Sequence, residues 1–287
     1  MKVVGYYNSF ARQDALSNLF VTPLTHINYA FLIPKENGDV FFYDENNARE
    51  VVKFAHDKGI KIFVSVGGFC DRERPLSSTF EAICDNNLEN FILSVIKIVQ
   101  KYDFDGVDLD WEYPTKQYKK SFELMVDKLS YRLHILKKEL SIAIHRAVDG
   151  EAKECRIVAI SDTVIKAADW MNIMTYDATE ECNHSSLIRC MKSLDYWHSI
   201  RKVPRNKIMI GAAFYARPSA KLYCELIEED DKNFFRDSFK DDTFNGCYTI
   251  KEKAYFARFN CGGLIIWAIN YDTFDKTSLL RVINEAI

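Results

Sequence analysis

Short runs rich in Val, Ile, Phe and Ala alternate with longer segments of helical period from one end of the sequence to the other. Such alternation builds βα units and a parallel sheet, because a parallel strand can begin only after a crossover has carried the chain back. Eight strand candidates occupy residues 2–7, 25–32, 61–67, 106–110, 140–147, 170–175, 207–214 and 263–270. Helical candidates lie at 46–58, 79–101, 116–138, 156–167, 186–201, 250–260 and 276–287. In the second of these, Phe80, Ile83, Leu88, Phe91, Ile92, Val95, Ile96 and Val99 recur at three- and four-residue spacing, an apolar stripe suited to face a sheet. Eight strands with intervening helices predict an α/β fold, a closed (β/α)8 barrel. An open doubly wound sheet would show fewer strands and often a phosphate-binding glycine turn, for which Ser65-Val66-Gly67-Gly68 is too short.

No linker rich in Pro, Gly or Ser divides the chain, so one domain over residues 1–287 is expected. The longest stretch without a place in the alternation is 218–249, with Glu228-Glu229-Asp230-Asp231 and Asp241-Asp242; it reads as a solvated excursion of the last βα loop, and such loops lie at the active end of a barrel. A formal net charge of -3 and the lack of any Lys/Arg run supply no field for tracking phosphates, which excludes nucleic acid as the expected partner. The apolar runs at 61–66 and 263–269 fall far short of the ~20 residues that cross a bilayer, so no membrane span is expected. Residues 1–7 read as a buried strand and not as a signal peptide; a cytoplasmic location, release by another route and a trimmed secreted form all stay open. The eight cysteines show neither Cys-x-x-Cys nor a Cys/His cluster at zinc spacing, so no metal and no cofactor are expected. Reduced thiols and a monomer are the expectation.

Chemistry concentrates in Phe104-Asp105-Gly106-Val107-Asp108-Leu109-Asp110-Trp111-Glu112-Tyr113-Pro114. Side chains alternate faces along a strand, so Asp108, Asp110 and Glu112 point one way and Val107, Leu109 and Trp111 the other. In a barrel the apolar set packs against helices and the carboxylates point inward, with Glu112 nearest the C-terminal mouth. Buried like charges cannot all ionise cheaply, so at least one carboxyl pKa must rise, which is what a general acid requires. Glycoside cleavage commonly combines such an acid with a second carboxylate.

The stretch resembles the signature of family 18 glycoside hydrolases, four acidic positions spaced Asp-x-x-Asp-x-Asp-x-Glu, which Asp105, Asp108, Asp110 and Glu112 fill. Gly106, Trp111, Tyr113 and Pro114 match as well. Beyond it, Gly5-Tyr6-Tyr7, His26-Ile27-Asn28-Tyr29-Ala30-Phe31 and Ser65-Val66-Gly67-Gly68-Phe69 resemble the family's first three strands. Met174-Thr175-Tyr176-Asp177, Phe214-Tyr215-Ala216-Arg217 and Gly262-Gly263-Leu264-Ile265-Ile266-Trp267 resemble its last three.

The resemblance implies a chitinase-type enzyme acting on N-acetylglucosamine-containing oligosaccharides or polysaccharides. It assigns Glu112 as the acid and the substrate's own N-acetyl carbonyl as nucleophile, forming an oxazolinium ion. Asp110 then orients the acetamido N–H, Asp108 shares a proton with Asp110, and Tyr176 binds the acetamido carbonyl. Asp177 buttresses the sugar, Trp267 forms its floor, and Tyr6, Phe31, Phe69, Met174, Tyr215 and Arg217 line the cleft. His145 and Arg146 depart from the family's fifth strand and carry no catalytic role, only structural or subsite-tuning ones. Residues 178–184 lack the Gly and aromatic residues common after Tyr176-Asp177, and 218–261 is too short for the α+β insertion of many relatives, which predicts a shallow, open groove. An endo-β-N-acetylglucosaminidase on N-glycans or peptidoglycan and a non-catalytic chitin-binding lectin are the competing readings.

Overall fold

The computed structural model describes residues 1–147, 156–178 and 183–287. It is a (β/α)8 barrel, and the described residues hold no sizeable α+β insertion. Its parallel strands are β1 (Lys2–Asn8), β2 (His26–Pro34), β3 (Lys61–Gly68), β4 (Gly106–Trp111), β5 (Glu139–His145), β6 (Trp170–Met174), β7 (Ile208–Ala213) and β8 (Gly263–Trp267). They follow one another in sequence order around the sheet, a β1–β2 pairing closes it, and Val40–Phe41 adds a short antiparallel edge to β2. Each strand lies within three residues of its expected ends. Among the described residues no helix is long and apolar enough to cross a membrane. Cys70, Cys84, Cys190, Cys224, Cys247 and Cys261 are free thiols; Cys155 and Cys182 lie outside the described residues.

Two compact units make up the chain, Asn28–Asn172, and Met1–Ile27 with Ile173–Ile287. In the first, Val107, Leu109 and Trp111 are buried on the outer face of β4. Trp111 stacks on Phe80 at 5.1 Å and meets Phe122 edge-on at 5.6 Å. Its indole N–H donates to Ser77 Oγ, which satisfies the one polar atom that burial would otherwise strand. Asp105, the first acid of the motif, does not join the others: it accepts from the Ile62 N–H at 2.9 Å and pairs with His56 at 3.1 Å, tying the start of β3 to helix α1 (Glu45–Asp57).

The expected helix at 79–101 is instead Ser77–Ala82, a π-helical turn at Ile83–Asn87, and α2 (Leu88–Tyr102). The polar run Cys84-Asp85-Asn86-Asn87 breaks the apolar stripe there, and the Asn87 side chain donates to the Glu36 carbonyl, a tertiary bond that periodicity does not encode. The next helix, α3 (Lys119–Ile135), sits inside its expected span. The candidate at 156–167 shortens to α4 (Asp162–Ala167), because Ser161 caps it by accepting from the Val164 N–H.

In the second unit, β1 and β7 flank β8 in parallel register, with Tyr6 and Ala213 both opposite Trp267. The candidate at 186–201 ends as a π-helical turn, with α5 (Leu187–Leu194) followed by Asp195–Ile200. The 218–249 excursion is more ordered than a solvated loop: it folds as α6 (Tyr223–Glu229), a 3-10 turn at Asp231–Phe235, and a two-residue hairpin. Ala216, Leu226 and Phe244 give it a small core of its own. The unit ends with α7 (Cys247–Asn260) and α8 (Leu279–Ala286), the latter capped by Ser278.

Gly67 sits opposite Asp110 with φ +116°, and a Cβ there would lie 2.2 Å from the Asp110 carbonyl oxygen and 2.9 Å from the Phe80 ring. Only glycine combines that dihedral with that approach. Gly67→Ala is therefore expected to destabilise the fold by roughly 3 kcal/mol or more, from backbone strain plus overpacking. Denaturant midpoints measure this, and a midpoint equal to wild type would show that β3 and β4 tolerate separation.

Candidate active site

Two groups of polar residues gather at strand ends, one in each compact unit. In Asn28–Asn172, Asp108 is fully buried and accepts hydrogen bonds from Ser65 Oγ at 2.8 Å, Ser141 Oγ at 2.7 Å and Asn172 Nδ2 at 2.9 Å. Ser65 and Ser141 lie directly opposite Asp108 on β3 and β5. The Trp170 indole donates to Asn172 Oδ1 and so fixes which way that amide points. Hydrogen bonds thus reach both of its oxygens.

Asp110, two residues on, is 3% exposed, and among the described residues its Oδ1 has no hydrogen-bond partner. Burial, then the charges of Glu112 and Asp108, push its pKa well above the usual carboxylate range. Glu112 is partly exposed at the C-terminal end of β4. Tyr113 lies beside it, and burial followed by the Glu112 charge and a hydrogen bond to that carboxylate raises the phenol's pKa. The alternation read from sequence thus corresponds to an inward row of buried, hydrogen-bonded and partly exposed carboxyls, ordered from barrel interior to mouth. Of the unit's aromatic candidates, Phe31 packs across Gly68, where φ is +95° and a Cβ would lie 2.9 Å from the ring. Phe69 is 61% exposed.

In the other unit Asp177 is the hub. Arg217 grips it with Nε on Oδ1 at 2.7 Å and Nη2 on Oδ2 at 3.1 Å, and the Tyr215 hydroxyl donates to Oδ1 at 2.8 Å. Burial works to raise the Asp177 carboxyl, but the bonds from His184, Arg217 and Tyr215 outweigh it and hold the pKa below its ordinary value. Asp177 adopts a left-handed backbone conformation, φ +56°, uncommon outside glycine and concentrated at functional sites. His184 was not foreseen as a site residue; its Nε2 donates to the Tyr215 carbonyl at 3.2 Å, and its Nδ1 lies 3.4 Å from the Asp177 backbone nitrogen.

Tyr176 is buried over Gly211, where a Cβ would come within 2.7 Å of its ring. It meets Tyr215 edge-on with centroids 6.3 Å apart. Trp267 is partly exposed beside the buried Tyr6, with ring centroids 5.6 Å apart. Met174, partly exposed, ends β6. Residues 179–182, where the sequence departs from the family pattern, lie outside the described residues.

These groups supply a buried carboxyl row ending in a protonatable acid, and an aromatic and carboxylate cradle of the kind that holds a polar ring. Comparison with known proteins agrees with that chemistry. The chain matches the family model described as glycosyl hydrolases family 18 over residues 2–272. It is 25% identical over 340 aligned residues to putative chitinase 1 of Margaritifera margaritifera, covering 94% of this chain and 71% of that one. A chitinase-like mite allergen of Dermatophagoides farinae is 26% identical over 75% of this chain, which spans 48% of the allergen's length. A solved chitinase structure from Flavobacterium johnsoniae superposes with a TM-score of 0.88 at 26% identity, covering 99% of this chain and 93% of that one. Nearly the whole chain, from β1 to beyond β8, therefore belongs to glycosyl hydrolases family 18, and it is a glycoside hydrolase.

Proposed function

We propose that the protein hydrolyses β-1,4 linkages between N-acetylglucosamine units with retention of configuration, the substrate's acetamido group acting as nucleophile. The observation that carries this reading is Asp110 Oδ1, a buried carboxylate oxygen with no donor among the described residues, beside the acid Glu112. A buried acceptor without a donor is costly, and an acetamido N–H supplies the missing bond as the carbonyl of the same group swings toward the anomeric carbon. No second carboxylate is then needed as nucleophile, which sets this chemistry apart from the two-carboxylate geometry.

In this reading Glu112 protonates the leaving oxygen, and Asp110 orients the acetamido group and offsets the positive charge of the oxazolinium ion. Asp108, held by Ser65, Ser141 and Asn172, shares its influence with Asp110 through charge. Tyr176 takes the acetamido carbonyl, an orienting contact worth several kcal/mol in well-aligned reactions. Asp177 with Tyr215 and Arg217 holds sugar hydroxyls, and Trp267 offers a face for the ring's C–H groups. Tyr6, Phe31, Phe69 and Met174 complete the lining. Residues 1–287 act as one catalytic domain, active as a monomer.

The test is the anomer released first from a chitooligosaccharide, read by proton NMR before mutarotation. The β anomer is expected, and initial release of the α anomer overturns substrate assistance. Product analysis on chitin, peptidoglycan and high-mannose glycoprotein separates the proposed linkage from the alternatives, and binding without cleavage of any of them would favour a lectin.

A further inference from the structure

Beyond the carboxyl row, the end of β5 carries a cluster that the proposed chemistry does not use. His145 is 3% exposed and Arg146 5% exposed, although both are polar. His145 Nδ1 lies 2.6 Å from the Arg146 carbonyl oxygen. A carbonyl only accepts, so Nδ1 carries the proton and Nε2 of the neutral ring is an acceptor. Two guanidinium groups use that one nitrogen, Arg146 Nη1 at 3.1 Å and Arg156 Nη1 at 3.0 Å. Two cationic side chains therefore converge on one acceptor nitrogen.

Arg156 is exposed. Its guanidinium lies 5.8 Å from the centroid of the Tyr113 ring, and His145 packs edge-on against the same ring at 5.2 Å. Tyr113 in turn is hydrogen-bonded to Glu112. One aromatic side chain therefore separates the cation from the proton donor. A guanidinium carries five N–H donors in a planar fork. Among the described residues, those of Arg156 meet His145 and no carboxylate. An exposed cation anchored on a buried histidine, beside Tyr113 and without a carboxylate partner among the described residues, is built for an anion that arrives with the substrate.

The geometry points to Arg156 as a subsite for a carboxylate borne by the saccharide beside the scissile linkage, with His145 and Arg146 as positioning residues. This rests on the proposed glycosidase reading and adds to it a preference for N-acetylglucosamine saccharides that bear a carboxylate substituent. A carboxylate fits better than a single point charge would demand, because two parallel N–H groups of the fork can meet its two oxygens.

The experiment compares two chitooligosaccharides of equal length, one bearing a carboxymethyl ether next to the scissile linkage and the other the same ether capped as a neutral amide. For the wild-type protein, kcat/KM on the acid is expected to exceed that on the amide by about tenfold, the scale of one charge-assisted pair. The ratio falls to near one in Arg156→Gln, is partly kept in Arg156→Lys, and shrinks as salt is raised. A wild-type ratio near one overturns the inference, as does a ratio that Arg156→Gln leaves unchanged. A sulfate ester that gains the advantage while the carboxylate does not also overturns it. Failure of the underlying glycosidase reading looks different, because then the neutral amide is not cleaved at all. Matching melting temperatures of the variants exclude misfolding.

Discussion

Glu112→Gln is expected to lower kcat by roughly 10²–10⁴-fold, with KM changed by no more than about threefold. Glutamine keeps the size and the hydrogen-bond acceptor that Tyr113 uses but has no proton to give. Because proton donation is realised only as the glycosidic bond breaks, its loss falls on the transition state and spares ground-state binding. Leaving-group dependence provides the sharper check. An N-acetylglucosaminide with a dinitrophenyl leaving group needs little protonation, so the loss on it should be at least tenfold smaller than on a chitooligosaccharide. Equal losses on both substrates would remove Glu112 from the acid role, and wild-type turnover would remove it from the chemistry altogether.

The barrel was legible because its signals are local and repeated. Strands such as Val3-Val4 and Ile62-Phe63-Val64 are continuously apolar, and helices such as α2 carry a stripe of fixed period. The carboxyl row was legible for the same reason, since alternation along one strand needs no knowledge of its neighbours. What surrounds the row was not. Ser65, Ser141 and Asn172 are single polar residues inside apolar strands, a detectable anomaly. Only strand register shows that all three converge on Asp108.

His184 escaped notice because the sequence between Asp177 and His184 carries no helical or strand period to read. The same holds for α6, whose seven residues span too few turns for a stripe to stand out. Both π-helical turns mark places where an expected helix continued with an extra residue in one turn, which the apolar period does not encode. Asp105 belongs to the motif by spacing, and its role shows only in the fold: just before β4, it pins the start of β3 to α1.

Asp110→Asn is expected to cut kcat by about 100-fold or more while making the protein more stable at neutral pH. Asp110 is buried, and its pKa in the fold lies well above the 3.8 of an ordinary aspartate. A carboxyl whose folded pKa is raised contributes its full share of stability below the unfolded value. That share is lost as pH climbs from about 4 toward the folded pKa, because the unfolded chain releases its proton first. Asparagine has no charge to bury, so it escapes the loss. The melting temperature of the variant should match wild type below about pH 4 and exceed it by about 3 °C or more near pH 8, equivalent to ~1 kcal/mol for a chain of this size. Calorimetry across that range decides the matter: a difference that does not grow with pH would mean that Asp110 ionises without penalty, and its role as a strained, substrate-seeking carboxylate would fall. If the difference does grow, the fold tolerates a stability cost at the one strand position where an acetamido N–H and a developing positive charge would offset it during catalysis.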